Sequence, residues 1–181
     1  MIIALAGRRI DAPGANPPRF PVDQITAVKD RIKTYFEEKH VTSLVCSSAC
    51  GADLLALQTA GELGIDRTIV LPFDHNKFRF VSVIDRPGNW GPLFDKIYEE
   101  VKAVNNVVAL DAKTEDDDAA YQFANLEIFR QAILLRERSG IEVSTLLIWD
   151  GKPKDENDAT LHFGDEARTR GIAVDEILTL P

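Results

Sequence analysis

Residues 44–73 read LVCSSACGADLLALQTAGELGIDRTIVLPF. Leu44, Val45 and Cys46 are a short apolar run of the kind that forms a buried strand. Ser47, Ser48, Ala49, Cys50 and Gly51 follow, all of them small. From Ala52 the period changes. Ala52, Leu55, Ala56, Thr59, Ala60 and Leu63 recur at helical spacing and make one packed face. Gly64 stops that helix, and residues 68–71 are a second β-branched run closed by Pro72. The unit is strand, tight turn, helix, strand. A parallel crossover of this kind is right-handed and puts the turn at the carboxyl end of its first strand. Free N–H groups and the positive helix end face outward there, a setting that suits phosphate or another anion. Small residues at such a turn also serve close packing alone. The turn is not the dinucleotide fingerprint G-x-G-x-x-G, so a nicotinamide-dehydrogenase reading is disfavoured.

The same alternation extends in both directions. Residues 2–6 suit a central strand buried on both faces. Gly7 breaks that run, and Arg8-Arg9 stand where open α/β sheets bind ligands. The planar arginine fork suits phosphate or carboxylate; the alternative is a solvated pair that holds the Pro- and Gly-rich loop behind it. Residues 22–39 read as a helix with Ile25, Val28, Ile32, Tyr35 and Phe36 as its apolar stripe. Residues 74–83 follow the third strand over the ligand edge, where Phe73, Phe78 and Phe80 either stack on a base or cap the core. Residues 86–92 read as a loop whose Trp90 suits a lid or a subunit contact.

A helix over 93–104, a strand over 107–110 and a solvated acidic loop over 113–118 come next. A long helix covers 121–138, with Tyr121, Ala124, Ile128, Ala132 and Leu135 on one face and Asn125 and Arg130 as its notable polar residues. A strand over 144–149 turns at Asp150-Gly151. A polar loop, a helix through Arg170 and a short strand over 173–177 complete the chain. The predicted class is α/β: a Rossmann-like doubly wound parallel sheet with helices on both faces, in a single domain over 1–181. The apolar excess on the long helix, flanked by Trp90, predicts a homodimer face.

Composition narrows the function. The 181 residues allow one full core and not two comfortable ones. Hydrophobic residues at 45% and charged residues at 28% are ordinary for a globular protein. A net charge of −8 offers no basic excess for phosphate neutralisation, so nucleic acid is disfavoured as a partner. The two cysteines, Cys46 and Cys50, make neither a disulfide framework nor a four-ligand zinc site, and no metal is expected. Cys50, at a helix start, suits a lowered thiol pKa; the alternative is that both cysteines fill a tight place. No apolar run reaches transmembrane length and the first residues do not read as a signal peptide, so a cytoplasmic protein is expected.

Three segments carry a resemblance: CGADLLALQTAGELGI running into TIVLPF, AGRRID at the first strand with RFP after it, and WDGKPKDENDATLHF after the fifth strand. Together they resemble the Rossmann-like SLOG superfamily, and a bacterial branch of it. That superfamily includes the DNA-processing protein of natural transformation, the lysine-decarboxylase-like cytokinin-activating (LOG) enzymes and sensors of nucleotide-derived ligands. The resemblance spans nearly the whole chain. It implies a ligand pocket at the carboxyl edge of the sheet, built from Gly7 and Arg8, then Ser48, Cys50, Gly51, Ala52 and Asp53, then Pro72 and Phe73, then Asp150, Gly151, Thr160 and His162.

The cytokinin-activating branch carries a P-G-G-x-G-T-x-x-E loop whose glutamate helps break an N-glycosidic bond. The corresponding segment here is ENDATLHF. It keeps Thr160, lacks the glycines, and has Phe163 where that glutamate stands. The expectation is therefore binding of a nucleotide or nucleotide-derived small molecule, as in a sensor, with no further cofactor. The alternative is a hydrolase that cuts the N-glycosidic bond of a nucleoside monophosphate. In it, Arg8 or Arg130 would hold the phosphate, and Asp53, Asp150 or Glu166 would supply the carboxylate.

Overall fold

The computed structural model describes residues 1–110 and 117–181. Strands β1 (Ile2–Gly7), β2 (Ser43–Cys46), β3 (Asp66–Leu71), β4 (Val107–Ala109), β5 (Val143–Trp149) and β6 (Ala173–Leu178) form a six-stranded sheet in the order β4-β3-β2-β1-β5-β6. All the pairings are parallel, with Ile3 beside both Leu44 and Ser144 at the centre. The helices are α1 (Ile25–Glu38), α2 (Ala52–Glu62), α3 (His75–Ser82), α4 (Trp90–Ala103), α5 (Asp117–Ser139) and α6 (Ala159–Thr169). The fold is the doubly wound α/β sheet that the alternating pattern predicts.

Strand side chains alternate between faces, and the core divides accordingly. Ile3, Leu5, Leu44, Cys46, Ile69 and Leu71 pack under α1, α2 and α4. Ile2, Ala4, Val45 and Val70 face the other way, under α5 and α6, where Phe129 and Phe163 stack with ring centroids 4.3 Å apart. The chain steps outward from β1 to β4 on the first face. Helix α5 then recrosses the second face and delivers β5 to the free side of β1. The connections leaving β1 and β5 therefore diverge, and a crevice opens between them at the carboxyl edge. Sheets of this kind bind ligands at such a switch point.

Several boundaries differ from the sequence reading. Residues 75–82 form a helix, α3, because Asp74 caps it: Asp74 Oδ1 accepts hydrogen bonds from the backbone N–H of Asn76 and Lys77 at 2.9 and 3.1 Å. Trp90 is no surface loop residue. It opens α4 and is buried, with its indole N–H donating to the Pro87 carbonyl at 2.8 Å. A 3₁₀ turn, Val22–Gln24, precedes α1, and α5 starts at Asp117, four residues ahead of Tyr121. The acidic loop expected over 113–118 lies outside the described residues as far as 116. Among the described residues no helix is long and apolar enough to cross a membrane.

Candidate functional site

A cleft of about 250 Å³ opens over the carboxyl ends of β1 and β2. Its floor is Leu5, Ala6 and Gly7 of β1. Arg9, Ser47, Ala49 and Asp53 line one side, Phe78 and Ser82 of α3 another, and Tyr121, Asn125 and Ile128 of α5 a third. Ala159 and Thr160 close it from the start of α6. Gly7 is forced by packing: a Cβ there would lie 2.4 Å from the Ala52 Cβ and 2.6 Å from the Ile148 carbonyl oxygen. Ser82 and Tyr121 share a 2.6 Å hydroxyl–hydroxyl hydrogen bond, which ties α3 to α5 across the cleft.

Asp53 supplies the carboxyl. It sits in the first turn of α2, buried, with Oδ2 accepting from the Ala49 N–H at 3.2 Å. Burial pushes its pKa up to about 7, against the opposing pull of the Ala49 N–H and the Arg9 guanidinium. A carboxyl balanced between its charged and neutral forms near neutral pH can accept or donate a proton. Arg9 supplies the cation. Its Nη2 pairs with Asp85, while its Nε is buried and has no hydrogen-bond partner among the described residues. The buried Ser47 hydroxyl is also without one.

Arg8 turns the other way and is wholly engaged. Its Nε donates to Asp150 at 2.8 Å, its Nη1 to Asp158 at 2.6 Å and its Nη2 to the Lys152 carbonyl at 2.6 Å. The guanidinium also lies 5.5 Å from the centre of the Trp149 ring. Arg19 holds the second Asp150 oxygen at 2.7 Å. Asp158 caps α6, accepting from the N–H groups of Thr160 and Leu161. Burial works against its charge, but the N–H groups of Lys154 and Leu161 and the Arg8 guanidinium outweigh it and hold the carboxyl below its usual range. These contacts fasten the end of β1 to the loop after β5.

The residues expected at one pocket thus separate. Gly7, Asp53 and Thr160 line the cleft. Arg8 and Asp150 form the clamp beside it, and Gly151 is an exposed turn residue. Ser48, Cys50, Gly51 and Ala52 form the buried turn beneath. Pro72 and Phe73 are buried, Phe73 against Phe78 and Tyr121, while Phe80 is 71% exposed. His162 and Glu166 line a second cleft between α5 and α6, with Gln122, Leu126, Phe129 and Phe163. Asn125 borders both clefts. Glu166 pairs there with Arg170, and Arg130 pairs with Glu127 on the surface. Burial raises the Cys50 thiol above its usual range, against the pull of Arg9, so the cysteine fills space in the turn and is no activated thiol.

Ser47, Ser82 and Tyr121 enter the cleft without having been singled out for it, while Phe78, expected over the ligand edge as a base-stacking or core-capping ring, lines it. Spacing was their signal: Phe78 and Ser82 stand four apart on α3, and Tyr121, Asn125 and Ile128 share one face of α5. Among the described residues no group of three or more His, Cys, Asp or Glu side chains is placed to hold a metal. No family model matches the chain, and no curated protein is similar to it.

Proposed function

We propose that the chain binds a nucleotide or nucleotide-derived small molecule in the cleft over β1 and β2, as a sensor or binding module of the kind the SLOG resemblance implies. The observation that carries this reading is the cleft's position at the switch point, with Arg9, Asp53, Asn125 and several hydroxyls converging among apolar walls. Small molecules retained by the purified protein, identified by mass spectrometry, test it first. Calorimetry with adenine and guanine nucleosides and nucleotides follows. Arg9→Ala and Asn125→Ala are each expected to weaken binding about tenfold or more, the loss of one charge-assisted or well-placed hydrogen bond. Unchanged affinity in both variants would put the ligand elsewhere.

One observation favours a second reading. Asp53 is the carboxyl in the cleft, and its pKa of about 7 suits proton transfer at neutral pH. Of the three carboxylates considered for N-glycosidic hydrolysis it alone lines the cleft, since Asp150 and Glu166 are paired with arginines. Incubation with AMP and GMP should release little or no free base. Robust release that disappears in Asp53→Asn would promote the hydrolase.

A homodimer remains part of the proposal on narrower ground. Ala124, Ile128 and Ala132 pack on the sheet, and Phe123 and Leu126 are the apolar residues α5 leaves exposed. Light scattering at micromolar concentration should give twice the monomer mass; a monomer rejects it.

A further inference from the structure

We infer that the cleft takes an uncharged, hydroxyl-bearing ligand of nucleoside size in preference to its phosphorylated forms. This rests on the proposed binding reading and narrows its ligand class. The first ground is the fate of the expected anion site. At the start of α2, the Ala52 N–H donates to the Arg8 carbonyl at 3.1 Å and the Leu54 N–H to the Ala49 carbonyl at 3.3 Å, while the Cys50 N–H just before it donates to the Ser82 carbonyl at 3.0 Å. Asp53 Oδ2 takes the Ala49 N–H. Gly51, at φ +104°, packs so closely that a Cβ would lie 2.7 Å from the Arg8 carbonyl oxygen. Four of the N–H groups around this turn, those of Ala49, Cys50, Ala52 and Leu54, are thus engaged by the protein, and a carboxyl of the chain already sits in the helix's first turn.

The second ground is charge. Among the described residues lining the cleft, Arg9 is the only cation and Asp53 the only carboxyl. Arg9 is already paired with Asp85, and Arg8 is held by Asp150 and Asp158. Asp85 is shared between Arg9 and Arg86, so a di- or triphosphate would meet a single, partly engaged cation while facing Asp53. The third ground is what the cleft does offer. Among the described residues no donor reaches Asp53 Oδ1, and an ionised carboxylate accepts hydrogen bonds only, so a sugar hydroxyl pair suits it. The Asn125 amide and the Ser47, Thr160 and Tyr121 hydroxyls supply neutral partners, and the small volume suits a nucleoside more than a polyphosphate.

Calorimetry at pH 8 with adenosine, guanosine and their 5′-mono- and triphosphates tests this. The nucleoside that binds should do so at least tenfold more tightly than its triphosphate. Asp53→Asn keeps an acceptor for the Ala49 N–H, removes the negative charge, and should narrow that ratio at least threefold. Comparing the wild-type protein at pH 6 probes the same charge without substitution, with the nucleotide's terminal phosphate, whose second pKa is about 6, contributing to the change alongside Asp53. Facing Asp53 are Arg9 beyond β1 with its partner Asp85, Cys46 on β2, Cys50 in the turn and Tyr121 on α5. Burial raises both thiols and the phenol, so Asp53 is the facing group that changes charge between pH 6 and 8, and the ratio should narrow there too. A triphosphate that binds as tightly as its nucleoside overturns the inference and leaves the binding reading standing. A ratio untouched by both Asp53→Asn and pH overturns the role of Asp53. Failure of every nucleoside and nucleotide to bind rejects the binding reading and this inference together.

Discussion

Arg8 and Arg9 are neighbours in sequence and do unlike work, because consecutive residues leaving a strand face opposite ways. Arg9 reaches the cleft. Arg8 has a 3% exposed side chain between Asp150 and Asp158, which are 6% and 0% exposed. Buried charges of this kind are tolerable only as a set. Removing the guanidinium takes one partner each from two buried carboxylates and the Lys152 carbonyl, leaving Asp150 and Lys152 to Arg19 and Asp158 to backbone N–H groups alone. Arg8→Ala should therefore lower the unfolding free energy by roughly 3–5 kcal/mol, measured by urea denaturation at pH 7. Arg8→Lys should recover only part of this, since an ammonium cannot reproduce the planar fork. A loss below about 1 kcal/mol, the range of exposed pairs, would refute the clamp. The sequence placed the arginine pair at the ligand edge and could not divide its roles, because the acids that claim Arg8 lie more than 140 residues along the chain. The same holds for Gly51. One glycine among small residues fits both an anion cradle and close packing, and the Arg8 carbonyl, a tertiary neighbour, decides for packing.

At the scale of elements, the strands were legible because burial on both faces leaves apolar runs, as in IIALAG and the LLIW that ends β5. Helix α2 was legible from its spacing and from Gly64, whose φ of +70° is the left-handed turn that ends a helix. Helix α3 was not, although its start was written in the sequence: Asp74 is an N-cap residue, and Phe78 and Ser82 share a face. Aromatic and charged residues crowd its eight positions and hide the period. The Pro87-Gly88 punctuation suggested a loop through Trp90, and it does mark a turn. The tryptophan just beyond it belongs to the buried core cluster of the first face. The cleft was half legible for the same reason. The elements from β1 and β2 that floor it were identified and the segment of α3 was placed over the ligand edge, but its meeting with α5 was not foreseen, since only the folded chain brings residues near 80 and 121 together.

For the whole molecule, the decisive feature is that both cores share one sheet. Every central strand sends alternate side chains to opposite clusters: Ile3 and Leu5 one way, Ile2 and Ala4 the other. Neither face can open without exposing the backs of the same strands, and the Arg8 clamp joins β1 to the β5 loop at the edge where the connections diverge. Cooperative unfolding follows, although a chain of 181 residues exceeds the size at which it is the rule. The two tryptophans provide the means to check it. Trp90 belongs to the cluster under α4 and Trp149 to the cluster under α5 and α6, and each is 5% exposed. Trp90→Phe leaves an indole reporting the second face only, and Trp149→Phe leaves one reporting the first. Each variant should show indole fluorescence and far-ultraviolet circular dichroism changing at the same urea concentration. Comparison within a variant removes the effect of the substitution on overall stability. If α5 and α6 instead peeled from the sheet first, Trp149 in the Trp90→Phe protein would report a lower midpoint than the circular dichroism, and the shared sheet would not be what couples the two cores.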